Sequence, residues 1–287
     1  MNRMSKALVS TAAAVAVCAA LAPAAAISQA DKVTLVPHRA VYDLKLIKAR
    51  GSRPLEAVRG RILYDFSGSS CEGYALQFRQ VSELDSGEGK NAMSDLRSTT
   101  WEDGAAKNFR FNSENLLNQK PVDAVDGTAE RKSTTVAVSL KKPQSKAFDI
   151  AEGTVFPTEH MRRILIAAHA GQKILEFPVY DGSETGEKLY NTLTVIGAPI
   201  PPDQKVPTDA AAGQPALAKM MRWPVTISYF DKSDKKSQKS GEETPVYAIT
   251  FELYENGISR ALTLDYTDFV IAGEMTAIEI KTAKPCP

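Results

Sequence analysis

The chain has 287 residues, 43% of them hydrophobic and 24% charged, with 35 Lys plus Arg against 34 Asp plus Glu. That length and apolar content suffice to bury a core, so disorder is excluded, and the near-zero charge excludes the broad basic surface that holds nucleic acid. Three Cys are too few for a disulfide-dense scaffold and lack the paired spacing of a zinc site.

Arg3 and Lys6 precede a charge-free Ala/Val/Leu stretch from Ala7 to Leu21, followed by small residues. The pattern predicts a secretory signal peptide over residues 1–26, cleaved after Ala26 or, second, after Ala30. The apolar stretch falls short of the roughly 20 residues of a membrane span, so the mature chain, 27–287, is expected to be a single exported domain that does not cross the membrane. Cleavage removes Arg3, Lys6 and Cys18, leaving 33 basic against 34 acidic residues and two cysteines, Cys71 and Cys286. An even pair in an oxidising compartment should close.

Beyond the leader, most segments alternate apolar and polar residues with the period of a half-buried strand. Tyr42, Leu44 and Leu46, then Ile62, Tyr64 and Phe66, then Tyr74, Leu76 and Phe78 predict a three-stranded meander, with Gly, Pro and Ser in the turns between. Asn91 to Lys142 is more polar and reads as four shorter strands. Thr158 is placed to cap a helix running to about Ala170, with Met161, Ile164, Leu165 and Ala168 on one stripe and Gly171 as its stop. With no helical partner in the chain, that stripe must face the sheet. Ala198 to Pro215 holds five prolines and an Ala-Ala-Ala-Gly run, the composition of a mobile loop or linker. Strong alternation returns at Val225, Ile227 and Tyr229, at Tyr247 to Leu253, at Leu262 to Tyr266 and at Met275 to Ile280, with a charged loop from Asp231 to Glu243. The fold class is mainly β: one long, strongly bent antiparallel sheet of about a dozen strands with one principal helix on its concave face.

Chemistry is not announced. His160 and His169, nine residues apart on the helix, fall on opposite faces and share no metal, while His38 reads, like them, as an ordinary surface or partly buried residue. No G-x-S-x-G, S-x-x-K or H-E-x-x-H occurs. Gly87-Glu88-Gly89 reads as a hairpin turn, not a dinucleotide loop, because no helix follows. Asp65, Glu83, Asp265 and Asp268 are carboxylates whose pairing the sequence leaves open. No metal or cofactor is expected. The inner face of so long a sheet lines either a packed core or a ligand cavity, and with one helix to cover it, Met161, Ile164, Leu165 and Ala168 become the candidate cavity floor.

At Val36-Pro37-His38-Arg39-Ala40-Val41-Tyr42, Gly60-Arg61, Cys71-Glu72-Gly73-Tyr74, Arg97 to Gly104, Glu176 to Gly182 and the C-terminal Cys286, the chain resembles the cell-envelope integrity protein B (EipB) family of Gram-negative alphaproteobacteria, along essentially all of the mature chain. The resemblance implies a periplasmic protein with a β-spiral, half-barrel-like sheet around an internal helix, a disulfide between Cys71 and Cys286, and a part in maintaining the cell envelope. The fold it implies is similar to that of periplasmic lipoprotein carriers, whose half-barrels hold acyl chains. It carries over no catalytic or ligand-binding residue, and the proline-rich segment from Ala198 to Pro215 is where a departure from the family's strand connection is expected. The expectation is a non-enzymatic protein that binds a lipid-like ligand or an envelope partner. The alternatives are a hydrolase of envelope polymers and a scaffold for a periplasmic protein partner.

Overall fold

The computed structural model describes residues 33–50, 55–204, 208–232, 244–282 and 286. The expected signal peptide and its candidate cleavage sites lie outside them, as do most of the turn at Arg50 to Pro54 and of the charged loop at Asp231 to Glu243.

Fourteen strands form one sheet: β1 (His38–Ala49), β2 (Ala57–Ser69), β3 (Gly73–Asp85), β4 (Asn91–Glu102), β5 (Asn108–Leu117), β6 (Lys120–Arg131), β7 (Thr135–Lys142), β8 (Lys146–Ala151), β9 (Ile174–Val179), β10 (Tyr190–Ile196), β11 (Arg222–Asp231), β12 (Tyr247–Tyr254), β13 (Ser259–Tyr266) and β14 (Phe269–Ile280). Every pairing is antiparallel, in the order β8-β7-β6-β5-β4-β3-β2-β1-β14-β13-β12-β11-β10-β9. Two meanders therefore run outward from a central seam, where β1 meets β14. Register shifts in the β1/β14, β5/β6, β6/β7 and β12/β13 ladders insert bulges that bend the strands and curl the sheet over its own inner face. The sheet stays open. After β8 the chain crosses to the far edge, where Val155 accepts the Tyr180 N–H (3.0 Å) and donates to the Pro178 carbonyl (2.8 Å) beside β9.

The strand count exceeds the expected dozen, and β8, β9 and β10 are the strands that none of the eleven runs read from the sequence predicts. β8 buries none of its residues, and β9 is a six-residue edge strand that contains Pro178, where a missing N–H costs least. β10 inverts the usual alternation: its buried row is Tyr190, Thr192, Thr194 and Ile196, while Leu193 and Val195 point outward. The four strands between Asn91 and Lys142 exist but are not short, at 12, 10, 12 and 8 residues. Polar residues stand on both rows of these strands, so the alternation is weak: Ser98, Thr100, Ser113 and Asn115 face inward with Phe109 and Phe111.

The helix α1 (Pro157–His169) starts from Phe156, and Thr158 does not cap it. The cap comes from 56 residues upstream: Glu102, at the end of β4, accepts the Thr158 N–H on one carboxylate oxygen and the Glu159 N–H on the other, both at 2.8 Å. A carboxylate satisfies two orphan donors at the positive end of the helix better than a local hydroxyl does. The stop is as expected. Gly171, at φ +74°, lets Gln172 N–H reach the Ala167 carbonyl (2.9 Å) and Gly171 N–H reach that of Ala168 (3.1 Å). Ile164, Leu165 and Ala168 are buried in the larger of two apolar clusters with Ile196, Trp223 and Leu253, and Met161 is half-buried against it. The smaller cluster joins β5 to β7 through Phe109, Phe111 and Val138 to Phe156 and Tyr180.

The proline-rich segment is not a free linker. Ile200 exchanges two backbone bonds with Arg222, Ala210 N–H reaches the Met275 carbonyl (3.0 Å), and Ala211 and Leu217 are buried. Asp209 anchors it by pairing with Arg260 at 2.8 Å, both side chains being about 95% or more buried; Arg260 in turn pairs with Glu252, which also holds Arg222. The prolines set the course of a strap docked on the sheet.

Candidate functional site: an aromatic groove on the inner face

Alternating residues of the central strands point inward and meet Met161 of α1. They enclose three adjoining cavities. The first, about 180 Å³, is walled by Tyr42, Ile62, Tyr64, Phe78, Phe251 and Leu264. The second, about 240 Å³, shares His38, Tyr64, Met161 and Gly257 with the first and adds Phe66, His160 and Asp181. The third, about 370 Å³, shares Leu76, Thr100, Pro157 and Asp181 with the second and ends at Asn115, Asp123 and Glu184. Shared walls make one groove of the size range of small-molecule sites. A row of aromatic rings crosses the strands beside it: Tyr190, Tyr229, Tyr247, Tyr266 and Phe269 succeed one another at 4.9–5.9 Å on β10 to β14, and of these Tyr229 and Tyr247 line the cavities. At the opposite end of β1, His38, Tyr64 and Phe66 form a second aromatic set on β1 and β2, with His38 and Tyr64 at 5.4 Å. Of the four stripe residues, Met161 reaches the groove, while Ile164, Leu165 and Ala168 sit in the main apolar cluster.

Two of the histidines expected at the surface or partly buried are in fact deep. His38 and His160 are each 3% exposed and border the second cavity, whereas His169 is exposed and rests edge-on against Trp223. Nδ1 of His38 lies 2.8 Å from the Val36 carbonyl, so it carries the proton and leaves Nε2 an acceptor. Burial holds His38 below its ordinary range, and burial together with Arg163 drives His160 down to about 4. Both rings are neutral near pH 7. Among the described residues no group of three or more His, Cys, Asp or Glu is arranged to hold a metal.

The carboxylates singled out from sequence do not converge. Burial would raise Asp65, but Lys281 and Arg39 (2.7 Å) bind it and hold it below the carboxylate range, and Asp265 pairs with Arg50 (2.6 Å). Glu83 meets the Asn91 amide (3.3 Å), and Asp268 contributes its carbonyl to Arg50 N–H. The carboxylates that do face the groove are Asp123, Glu184 and Asp181, the last within the Glu176 to Gly182 motif, which assigned it no role. Burial raises the Asp181 carboxyl above the usual range although the Ser183 N–H (2.9 Å) favours the anion.

Glu102 and His160 titrate in opposite senses. Burial raises Glu102 to about 7 against the pull of its two N–H donors, so the folded chain retains a proton there that the unfolded chain loses above about 4.5. The stability it confers is complete below that pH and is lost by pH 7. His160, at about 4 when folded and 6.5 when free, does the reverse and adds stability as pH rises from 4 to 6.5. Each slope amounts to about 3 kcal/mol over its window. Urea midpoints should show the wild type losing its advantage over Glu102→Gln between pH 4.5 and 7 and gaining on His160→Asn between pH 4 and 6.5. Parallel pH profiles for all three proteins would refute both assignments.

Outside the groove, Cys71 and Cys286 form a disulfide with their Cα atoms 5.7 Å apart. It links the turn after β2 to the end of the chain after β14. Two motifs quoted above meet beside it: the Trp101 ring covers Gly73, where a Cβ would lie 2.7 Å away, and Arg110 stacks on Trp101 at 4.8 Å.

Comparison with known proteins agrees with this architecture. The model of the EipB-like family matches residues 29–282. The cell envelope integrity protein EipB of Brucella abortus (strain 2308) is 39% identical over 257 residues, 90% of this chain and 88% of its own. A crystal structure of a β-barrel-like protein of a domain of unknown function, also from Brucella abortus, superimposes with a TM-score of 0.78 at 37% identity, covering 87% of this chain and 100% of that one.

Proposed function

The chain belongs to the EipB-like family, and we propose that it acts in the periplasm as a non-enzymatic protein that maintains the cell envelope by binding a lipid-like ligand in its inner groove. The relative's name supports the envelope role. The observation that carries the binding reading is the groove itself, three adjoining cavities walled by Tyr, Phe and aliphatic side chains, where a packed core would have left no space. Apolar surface without a partner costs about 25 cal/mol per Å², so an acyl chain laid along it gains what the protein alone leaves unrealised. A leader with both cleavage sites supports export, and among the described residues no helix is long and apolar enough to cross a membrane.

The test is native mass spectrometry of the mature protein taken from its own periplasm, with N-phenyl-1-naphthylamine fluorescence as an independent measure of the groove. A co-purifying lipid is expected, and Met161→Trp, which fills the junction of the first two cavities, should weaken dye binding at least tenfold. An empty wild type that leaves the dye dark would overturn the reading. A second reading, hydrolysis of an envelope polymer, has one observation in its favour: Asp181, raised by burial, shares the third cavity with Asp123. It requires turnover of peptidoglycan or glycan that Asp181→Asn abolishes.

A further inference from the structure

The charges around the groove are one-sided. Asp181, Asp123 and Glu184 face the third cavity, Asp181 also the second, and the described residues bordering the three cavities include no Lys or Arg. Lys188, the base that reaches Glu184 (2.6 Å), is shared with Asp231 (3.0 Å). The two buried histidines are neutral and supply no positive charge. The opposite end has no ionisable carboxyl: its walls are Tyr42, Ile62, Phe251 and Leu264, all buried, with Gln80 and Ser259 as polar neighbours. Asp123 and Glu184 are exposed and Asp181 half-buried, so the carboxylates mark the mouth and the aromatic walls mark the depth. The other polar groups of the third cavity, Ser98, Thr100, Ser113, Asn115 and Ser183, can donate or accept and do not select the sign of a head group, which leaves that choice to the carboxylates.

A phosphate, sulfate or carboxylate head at this mouth would be desolvated against carboxylates with no cation to neutralise it, at a cost that its tail would have to offset. An ammonium head meets acceptors and opposite charge in the same place. Resting on the groove as the ligand site, we infer that its ligand is an amphiphile with a protonated amine head, the head at Asp181 and Asp123 and the acyl chain directed inward past Met161 to Tyr64 and Phe251. The amine selects which lipids are retained, while the chain supplies affinity.

Three dodecyl amphiphiles separate the head from the tail. Dodecylamine, dodecanoate and dodecyl maltoside, each below its micellar concentration at pH 7, should displace N-phenyl-1-naphthylamine from the mature protein, dodecylamine the most strongly. Dodecylamine is expected to act at a concentration at least tenfold below that of dodecanoate. The preference, read within each variant as the ratio of dodecanoate to dodecylamine concentration needed for displacement, should shrink at least threefold in Asp181→Asn and in Asp123→Asn, and again in 0.5 M NaCl. Asp123 is exposed, so its variant carries the test if Asp181→Asn does not fold. Dodecanoate binding as well as dodecylamine, or a preference intact in both variants, would overturn the amine while leaving the groove as the ligand site. A protein that takes up neither dye nor any of the three would overturn the groove, and the amine with it.

Discussion

Replacing Leu165 by Asp should leave no folded protein. Leu165 is fully buried, on the face of α1 that packs with Ile164, Ile196 and Trp223 in the main cluster. A carboxylate there has no cation within the cluster and no route to water, so the chain either buries a charge or folds with the acid protonated, each at a cost of several kcal/mol. A protein of this size has about 5–15 kcal/mol of stability in total. Leu165→Ala isolates the packing part of the effect and should lower the unfolding free energy by about 2–5 kcal/mol, whereas Met161→Ala, which enlarges a cavity already present, should cost less. Urea unfolding followed by circular dichroism ranks the three. A Leu165→Asp chain with the wild-type midpoint would mean that this face of α1 does not pack as described.

The same helix shows where local pattern suffices and where it fails. Its length, its stripe and its glycine stop follow from a 3.6-residue period and one positive-φ position, both written within and just after its thirteen residues. Its cap is hidden, because Thr158 is the right residue type in the right place and nothing in the sequence near it reveals that Glu102 arrives from another strand. The strands divide likewise. Where the buried row is apolar, as in β1 to β3 and β11 to β14, alternation reveals it; where the buried row includes threonines, as in β10, hydropathy inverts and the strand disappears from view.

The groove is legible only as an imbalance, one helix set against a long sheet. The walls of its first cavity come from β1, β2, β3, β12, β13 and α1, and convergence across such distances is a property of strand order, which no single segment encodes. Asp181 and the deep histidines share that limit. The strap from Ala198 to Pro215 resembles a linker for a related reason: its prolines exclude regular structure, but Asp209 finding Arg260 is a contact across 51 residues.

Cutting the Cys71–Cys286 bond should have the second largest effect, concentrated where the two meanders join. The bond closes a loop of 215 residues, for which chain entropy gives at most about 5 kcal/mol, and removal of native disulfides costs about 2–5. Cys286→Ser should therefore lower Tm by roughly 5–15 °C. The position matters more than the total. β14 is not a dispensable edge: its ladder with β1 runs from His38 opposite Ile280 to Ala49 opposite Phe269, and the Lys281 N–H bond to the Pro37 carbonyl (2.9 Å) continues it. With Cys286 free, the end of β14 is held there by that bond and by Lys281 on Asp65, both at the rim of the seam. Fraying should begin at Ile280 and run toward Met275, and it should loosen His38, which borders the first two cavities. Hydrogen exchange of Cys286→Ser is thus expected to quicken over Met275 to Ile280 and over the start of β1, with dye affinity falling, while β5 to β7, far from the seam, keep wild-type protection. Thiol titration of denatured, unreduced wild type should find neither Cys71 nor Cys286 free. Two reactive thiols there would remove the bond, and uniform acceleration across the whole sheet would show that its effect is global and that the seam holds without it.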